Sequence, residues 1–480
     1  MKVLIGKRQA ARGKSVSHTP AAPVTARRVP RTGASIRIFA QLPRLQLGSK
    51  YSFGDKVSLE LGFDLISNHD NIRVQYRSAD GPWRTEEVDS PKRIELDGNP
   101  ISFQYHVVLD KLVPGQPFEY ILLLGKKTFF TATAKAPPAA DKPFTFVLTG
   151  DIGDGGNGEK QIAAAIHKAD PDAVLLVGDV VYETGRMSEL GPRFTSIYNA
   201  DVCDPNVGAP LLRSRLMASA VGNHDMGFPV TEEPLDLDKR PDLLGFFLFW
   251  RHPKTGPEVS HKKLLKFTGK KNKLERLIDT LGEDFLTKAN YSFDFGNVHC
   301  IVLDANKYMN WSTPALYEWL RNDLESAKGA TWKIVVWHQP PFNSHPKYSR
   351  DERMSVISPL LEHYGVDLVF NGHCHFYERS YPIRVKLDGE PAAAQNPDGT
   401  VNGTIYLDKS FDGVNNQNPD GIIYVITGAG ARASDEAHRP IERPFTAKVL
   451  HNINSFTKVD VDGARLTLRQ LGADGEELDH

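Results

Sequence analysis

The stretch Phe144-Thr145-Phe146-Val147-Leu148-Thr149-Gly150-Asp151-Ile152-Gly153 sets the reading of this chain. An apolar run of strand length stops abruptly in a polar cluster that glycine opens. The pattern recurs downstream. Residues 173–177 lead into Gly178-Asp179, 216–221 into Gly222-Asn223-His224-Asp225, and 298–303 into Asp304. Residues 334–337 lead into His338, and 366–370 into Asn371-Gly372-His373. Between them, residues 158–168, 314–327 and 352–364 carry helical periodicity. Strands followed by helices predict an α/β fold, a sheet covered by helices. In such folds ligands bind beyond the carboxyl ends of the strands. Those ends hold nearly all the Asp, Asn and His of chemical interest.

Upstream the pattern differs. Residues 36–42, 57–63, 72–77, 103–109 and 119–124 are rich in β-branched, Leu and aromatic residues, with Asp80-Gly81-Pro82 and Val113-Pro114-Gly115 as turn signals. This spacing predicts a β-sandwich over 36–137, its first strand ended by Pro43. Ala136-Pro137-Pro138-Ala139-Ala140 reads as a stiff linker before a second domain, 143–480. Residues 227–290 exceed a typical connection and read as an insertion with some helix. The nine Lys and Arg against two Glu within 251–276 are read as a solvated face rather than a cover over an anionic substrate.

The composition removes other classes. At 480 residues the chain is too long for one small domain, and 40% apolar with 24% charged residues is ordinary globular usage. The longest apolar run, Leu243 to Trp250, is far shorter than the ~20 residues of a membrane span. Three cysteines, Cys203, Cys300 and Cys374, form no CxxC pair and no disulfide framework. The net charge of −1 hides an asymmetry. The first 54 residues carry 11 Lys and Arg and no acid; the remainder carries 47 basic and 59 acidic groups. Residues 1–35 read as a basic flexible tail, with an organelle transit segment as the alternative. No aromatic residue precedes Phe39, so a nucleic-acid arm is not expected. No secretory signal is visible.

Five clusters bear the chemistry: Gly150-Asp151-Ile152-Gly153, Gly178-Asp179-Val180-Val181-Tyr182, Gly222-Asn223-His224-Asp225, Val335-Val336-Trp337-His338 and Gly372-His373-Cys374-His375. Each alone is an ordinary turn or strand segment. All five in order, each after an apolar strand, form a rare set. Carboxylate, amide, imidazole and phenolate together suit Fe, Zn and Mn. Two such ions can clamp the attacking and leaving oxygens of a displacement at phosphorus and acidify a bound water.

This set resembles the calcineurin-like metallophosphoesterases and, within them, the purple acid phosphatase family. Tyr182 stands three residues after Asp179, matching that family's GDxxY, and Gly372-His373-Cys374-His375-Phe376-Tyr377-Glu378-Arg379-Ser380 resembles its GHxHxYER run. The resemblance covers roughly residues 40 to 480. It includes a likeness of Tyr105–Gly115 to the fibronectin type III-like domain of the longer plant-type enzymes. It implies a four-layer catalytic domain, two sheets flanked by helices. Asp151, Tyr182 and His375 would hold Fe(III). Asn223, His338 and His373 would hold a divalent ion, Zn, Mn or Fe. Asp179 would bridge them. The implied activity is hydrolysis of phosphate monoesters on a small phosphorylated substrate by attack of a metal-bound hydroxide. His224 would contact the phosphoryl group or protonate the leaving oxygen. His345 is a second candidate for substrate contact.

The resemblance also implies an extracytoplasmic location and homo-oligomers among relatives. Asp154 competes with Asp151, which fits the DxG spacing. Asp225 either orients His224 or caps a turn, Cys374 is a small buried residue, and Asp304 and Asn306 take supporting roles. A phosphodiesterase or nucleotide pyrophosphatase would use the same scaffold with a different pocket. A non-catalytic binding protein with a degenerate site is the remaining alternative. Of 16 His, five thus have an expected role.

Overall fold

The alternation of Phe144–Thr149 decides the layering. Phe146 and Leu148 face a core shared with a second sheet, whereas Val147 faces the helix Asn157–Lys168 and its buried Ile162 and Ile166. The computed structural model describes residues 3–6, 38–54, 56–228, 234–434 and 436–480. Apart from Val3–Gly6, which lies antiparallel to Arg465–Gly472, the predicted basic tail falls outside the described residues.

The first sheet of the two-sheet region runs Val3–Gly6, Arg465–Gly472, Ser455–Asp462, Phe144–Thr149, Ala173–Leu176, Leu216–Ser219, with Glu477–Asp479 beside Arg465–Gly472. Its last three strands are parallel, with Val147 opposite Val174 and Leu175 opposite Ala218. In the second sheet Val298–Val302, Trp332–Val336, Leu368–Asn371 and Ile423–Thr427 are parallel neighbours. The sheets meet face to face; the rings of Phe146 and Phe295 lie 4.7 Å apart. On the far side of the second sheet, Ile301, Val335 and Val369 pack with Leu320 and Leu324 of Pro314–Ser326 and Leu361 of Ser358–His363. The result is the expected four layers: helices, sheet, sheet, helices. All the parallel strands point their carboxyl ends toward one rim.

The N-terminal region is all-β. Phe39–Gln46, Val57–Leu65, Ser102–Leu112 and Lys92–Ile94 form one sheet, with Ser52–Phe53 beside Val57–Leu65. Lys127–Lys135, Pro117–Leu124, Ile72–Ser78 and Arg84–Glu87 form the other. Pro43 does not end its strand. Phe39–Gln46 is an edge strand, and the register shifts between Gln41 and Arg44, so a bulge absorbs the residue that cannot donate. The Ala-Pro linker is docked rather than extended: Gly115 N donates to Pro137 O at 2.9 Å and Ala136 N to Gln116 O at 3.0 Å.

The insertion contains the helices Gly245–Phe249, His261–Leu264 and Lys271–Leu281 and a strand pair, Leu235–Asp236 with Phe267–Thr268. Its basic residues pair with surface acids, Lys273 with Asp238 at 3.0 Å and Lys262 with Glu283 at 3.0 Å. Among the described residues no helix is long and apolar enough to cross a membrane.

Candidate metal centre

The site is assembled where the parallel strands stop. Thr149 ends a strand of the first sheet and Asp151 follows after one glycine; Asp179, Asn223 and His224 lie just past the next two strands. His338 follows Trp332–Val336, and His373 follows Leu368–Asn371. Two glycines are required by crowding. A Cβ on Gly222 would lie 2.1 Å from Asp179 Oδ1, and one on Gly372 would lie 2.5 Å from Asp151 Oδ2. Asp151, Asp179 and His373 adopt φ of 53°, 48° and 68°, a left-handed conformation that side chains rarely take. Such strain concentrates at functional sites, where the surrounding structure enforces it.

The side chains converge. Tyr182 Oη lies 3.1 Å from Asp151 Oδ1, 3.4 Å from Asp179 Oδ2 and 3.0 Å from His375 Nε2. One phenolic proton cannot serve both carboxylates at once. On the other side, Asn223 Oδ1 is 3.0 Å from His373 Nδ1, and donor atoms of Asp179, His338 and His373 all lie within 4.8 Å of one another. His338 Nδ1 donates to Val177 O at 2.9 Å, which leaves Nε2 as the nitrogen available to a metal ion. That Nε2 is buried, stands 3.0 Å from Asp179 Oδ2 and makes no hydrogen bond. A buried, unsatisfied imidazole nitrogen among acceptor oxygens fits a bound cation. The donor set of Asp, Asn, Tyr and His therefore suits metal ions of the Fe, Zn and Mn kind.

The electrostatics agree. Burial opposes a charged His338, yet Asp179 and Asp151 outweigh it and push the imidazole up to about 9. Burial also opposes the Asp179 carboxylate, but His338 and His224 hold it well below the usual range. Burial drives His373 well below an ordinary imidazole. Burial and the Asp151 and Asp179 carboxylates push the Tyr182 phenol far up. The protein alone thus draws a proton onto His338; a metal ion would take that place.

His224 sits at the edge of the cluster. Its backbone N donates to Asp179 Oδ1 at 2.8 Å and its Nδ1 donates to Glu183 O at 2.6 Å, leaving Nε2 4.0 Å from Asp179 Oδ2. His345 lies beside the cluster rather than within it. Its Nδ1 accepts from the backbone of Lys347 and Tyr348 at 3.1 and 3.3 Å. Burial, with His438 and His375 nearby, lowers it to about 4. Tyr348 packs against both His345 and His373, with ring centroids 4.3 Å from each.

The supporting residues separate clearly. Asp154 is turned away from the centre, accepting from Gly156 N at 2.6 Å and pairing with Arg432 Nε at 2.9 Å. Asp225 is a loop clamp: it accepts from the backbone of Gly222, Val180 and Val181, and does not orient His224. Burial and the neighbouring Asp179 raise its carboxyl to about 7. Asp304 accepts from Asn306 and from Tyr308, and Asn306 links Gln339 to Gly222 O. Cys374 is fully buried. Two residues escape the sequence reading, Tyr348 and Arg432. Tyr348 lies in a loop outside the five strand-end clusters, and Arg432 follows a strand, Ile423–Thr427, that ends in no Asp or His cluster.

A calcineurin-like phosphoesterase family model matches residues 144–377. Purple acid phosphatase 21 of Arabidopsis thaliana is 39% identical over 337 residues, 66% of this chain and 65% of the relative. Purple acid phosphatase 18 of the same plant is 26% identical over 326 residues, 62% of each. The chain thus spans less than two thirds of these curated relatives. Purple acid phosphatase PPD1 from yellow lupin (Lupinus luteus) seeds shares the fold, with a TM-score of 0.62 at 19% identity over 92% of this chain and 74% of that one. In sequence this chain is thus similar to the calcineurin-like phosphoesterases and, among them, to the purple acid phosphatases, whose fold it shares.

Proposed function

We propose that this chain is a binuclear metal-dependent acid phosphatase acting on small phosphate monoesters. The family implies a binuclear metal centre. One observation carries the reading: donors from the ends of strands in two sheets converge on one cluster that leaves His338 Nε2 buried and unsatisfied. In this reading Asp151, Tyr182 and His375 would hold Fe(III). Asn223, His338 and His373 would hold a divalent ion, Zn, Mn or Fe, and Asp179 would serve both. The carboxylates round Tyr182 Oη favour the phenol by themselves, and a trivalent cation bound among them would reverse that in favour of the phenolate.

When bound, the ions supply Lewis-acid polarisation of a phosphoryl oxygen and an acidified water. The chain supplies the rest. The Glu183 carbonyl holds His224 Nδ1–H, so Nε2 is the nitrogen left to give a proton to the leaving oxygen. His345 Nδ1 is occupied by backbone N–H groups, so its Nε2–H can meet the substrate only as a neutral donor. Asp225 holds the Asp179 and Asn223 loops in register through their backbone amides.

The decisive experiment combines elemental analysis with a screen of phosphomonoesters and phosphodiesters across pH. Two metals per chain with preferred turnover of monoesters is expected. Preference for diesters would assign the chain to the phosphodiesterase reading. Absence of bound metal would leave a binding protein.

A further inference from the structure

Arg432 lies over the face of the candidate ferric ligand Tyr182, its guanidinium carbon 5.3 Å from the ring centre. Two carboxylates hold it there. Arg432 Nε lies 2.9 Å from Asp154 Oδ2, and Nη2 lies 3.2 Å from Glu183 Oε1. Asp154 is itself fixed by Gly156 N, and Glu183 is the residue next to Tyr182 and is 3.7 Å from Arg193 Nη1.

The chain reaches this position through Gly428-Ala429-Gly430-Ala431. A Cβ on Gly428 would lie 2.3 Å from Cys374 O and 2.7 Å from Asp151 Oδ2; one on Gly430 would lie 2.5 Å from Gly150 O. The loop therefore passes directly over the Asp151 turn, and Ser434 N donates to His375 O at 2.6 Å just beyond. So the segment that delivers Arg432 is also tied to two of the three residues assigned to the same ion.

We propose that Arg432 is a positioning residue that sets how strongly Tyr182 donates electrons to the metal it binds. The inference rests on the reading of Tyr182 as a phenolate on Fe(III). A phenolate spreads negative charge into its ring, and a cation over the ring face is attracted to that charge. Held there, the guanidinium stabilises the electrons that the phenolate would otherwise release. It lies on the ring, so it acts on the donor more than on the ion. Charge transfer from phenolate to metal then requires more energy than it would without Arg432.

The test is the visible charge-transfer band of the oxidised, fully metallated protein, compared with Arg432→Met and Arg432→Lys, with metal content measured in each. Arg432→Met should shift the band to longer wavelength with both metals retained. Arg432→Lys keeps the charge and should stay near the parent. A band that does not move in Arg432→Met, or that moves equally in both variants as loss of a loop tie would cause, overturns the proposal. Should Arg432→Met fail to hold metal, Asp154→Asn frees one side of the guanidinium and is read instead. A smaller shift in the same direction supports the proposal, and an unmoved band overturns it. No band in the parent protein would sink the ferric reading itself and this inference with it. A band present but unmoved sinks this inference alone.

Discussion

At the residue scale the assignments divide into groups that hold charge and groups that move protons. Tyr182 belongs to the first. Its Oη meets Asp151, Asp179 and His375 within 3.4 Å. Replacing Tyr182 with Phe keeps the ring and removes the oxygen, so the visible band of the oxidised protein should disappear; absorption spectra of the two proteins check this. His224 belongs to the second. Its Nδ1 is committed to Glu183 O, and its hydrogen bond to Asp179 comes from the backbone N, which substitution leaves in place. His224→Ala should lower turnover by about 10²–10⁴-fold, the usual range for a positioned proton donor, while elemental analysis still finds both metals. Loss of metal would make it a ligand instead. The convergence was legible in the sequence, because candidate ligands that directly follow parallel strands share one rim; which of them would serve which ion came only from the family resemblance. Tyr348 and Arg432 were not legible. Their place depends on how loops fold back across that rim, and no local pattern encodes it. The same holds for Asp225, whose adjacency to His224 suggested contact with its ring while the backbone amides of a neighbouring loop captured it.

At the scale of elements, local pattern and tertiary context divide the outcome. Periodicity located the helices Asn157–Lys168 and Pro314–Ser326 to within a residue or two. It also predicted one helix over 352–364, where the structure has a 3₁₀ turn, Arg353–Ile357, followed by the helix Ser358–His363. Pro359 stands in the first turn of the second piece, a place proline favours because its missing N–H is not needed there. A titratable tie joins another pair of elements. His299, in the strand Val298–Val302, lies 2.7 Å from Asp294 and 3.0 Å from Asp323 of the helix Pro314–Ser326. Burial opposes its charge, but the two carboxylates outweigh that and push it up to about 9. A folded-state value raised above the ordinary 6.5 means the stabilisation is full below about pH 6.5 and is lost as pH rises through about 9. Because Asp294 is 75% exposed, solvent screening trims the effect to on the order of 2 kcal/mol. Urea unfolding at pH 6 and pH 9.5 should show the parent losing stability and His299→Gln losing much less of it.

At the scale of the whole molecule, the N-terminal sandwich is held to the two-sheet C-terminal region by a buried polar seam as well as by apolar packing. The apolar octamer Leu243 to Trp250, read from sequence only as too short for a membrane span, forms the helix Gly245–Phe249. A helix this short leaves its last carbonyls without partners. The sandwich supplies them: Arg44 Nε and Gln46 Nε2 donate to Phe249 O at 3.2 and 2.9 Å, and Gln104 Nε2 donates to Leu248 O at 2.9 Å. Arg44 is fully buried, lies over the Phe249 ring at 4.5 Å and pairs with the equally buried Asp64 at 3.1 Å. Removing one member of a buried pair strands the other, at a cost of about 3–5 kcal/mol. Arg44→Ala should therefore lower the denaturation midpoint strongly. Arg44→Met with Asp64→Leu removes both charges and fills their space, and should recover much of that loss. If the two variants unfold at the same midpoint, the seam acts through shape alone and not through its charges. Because the seam lies at the octamer and the metal ligands lie at the strand ends, Arg44→Ala should leave the visible band of the folded protein where it is. A band that moved with Arg44 would mean that sandwich docking reaches the metal centre itself.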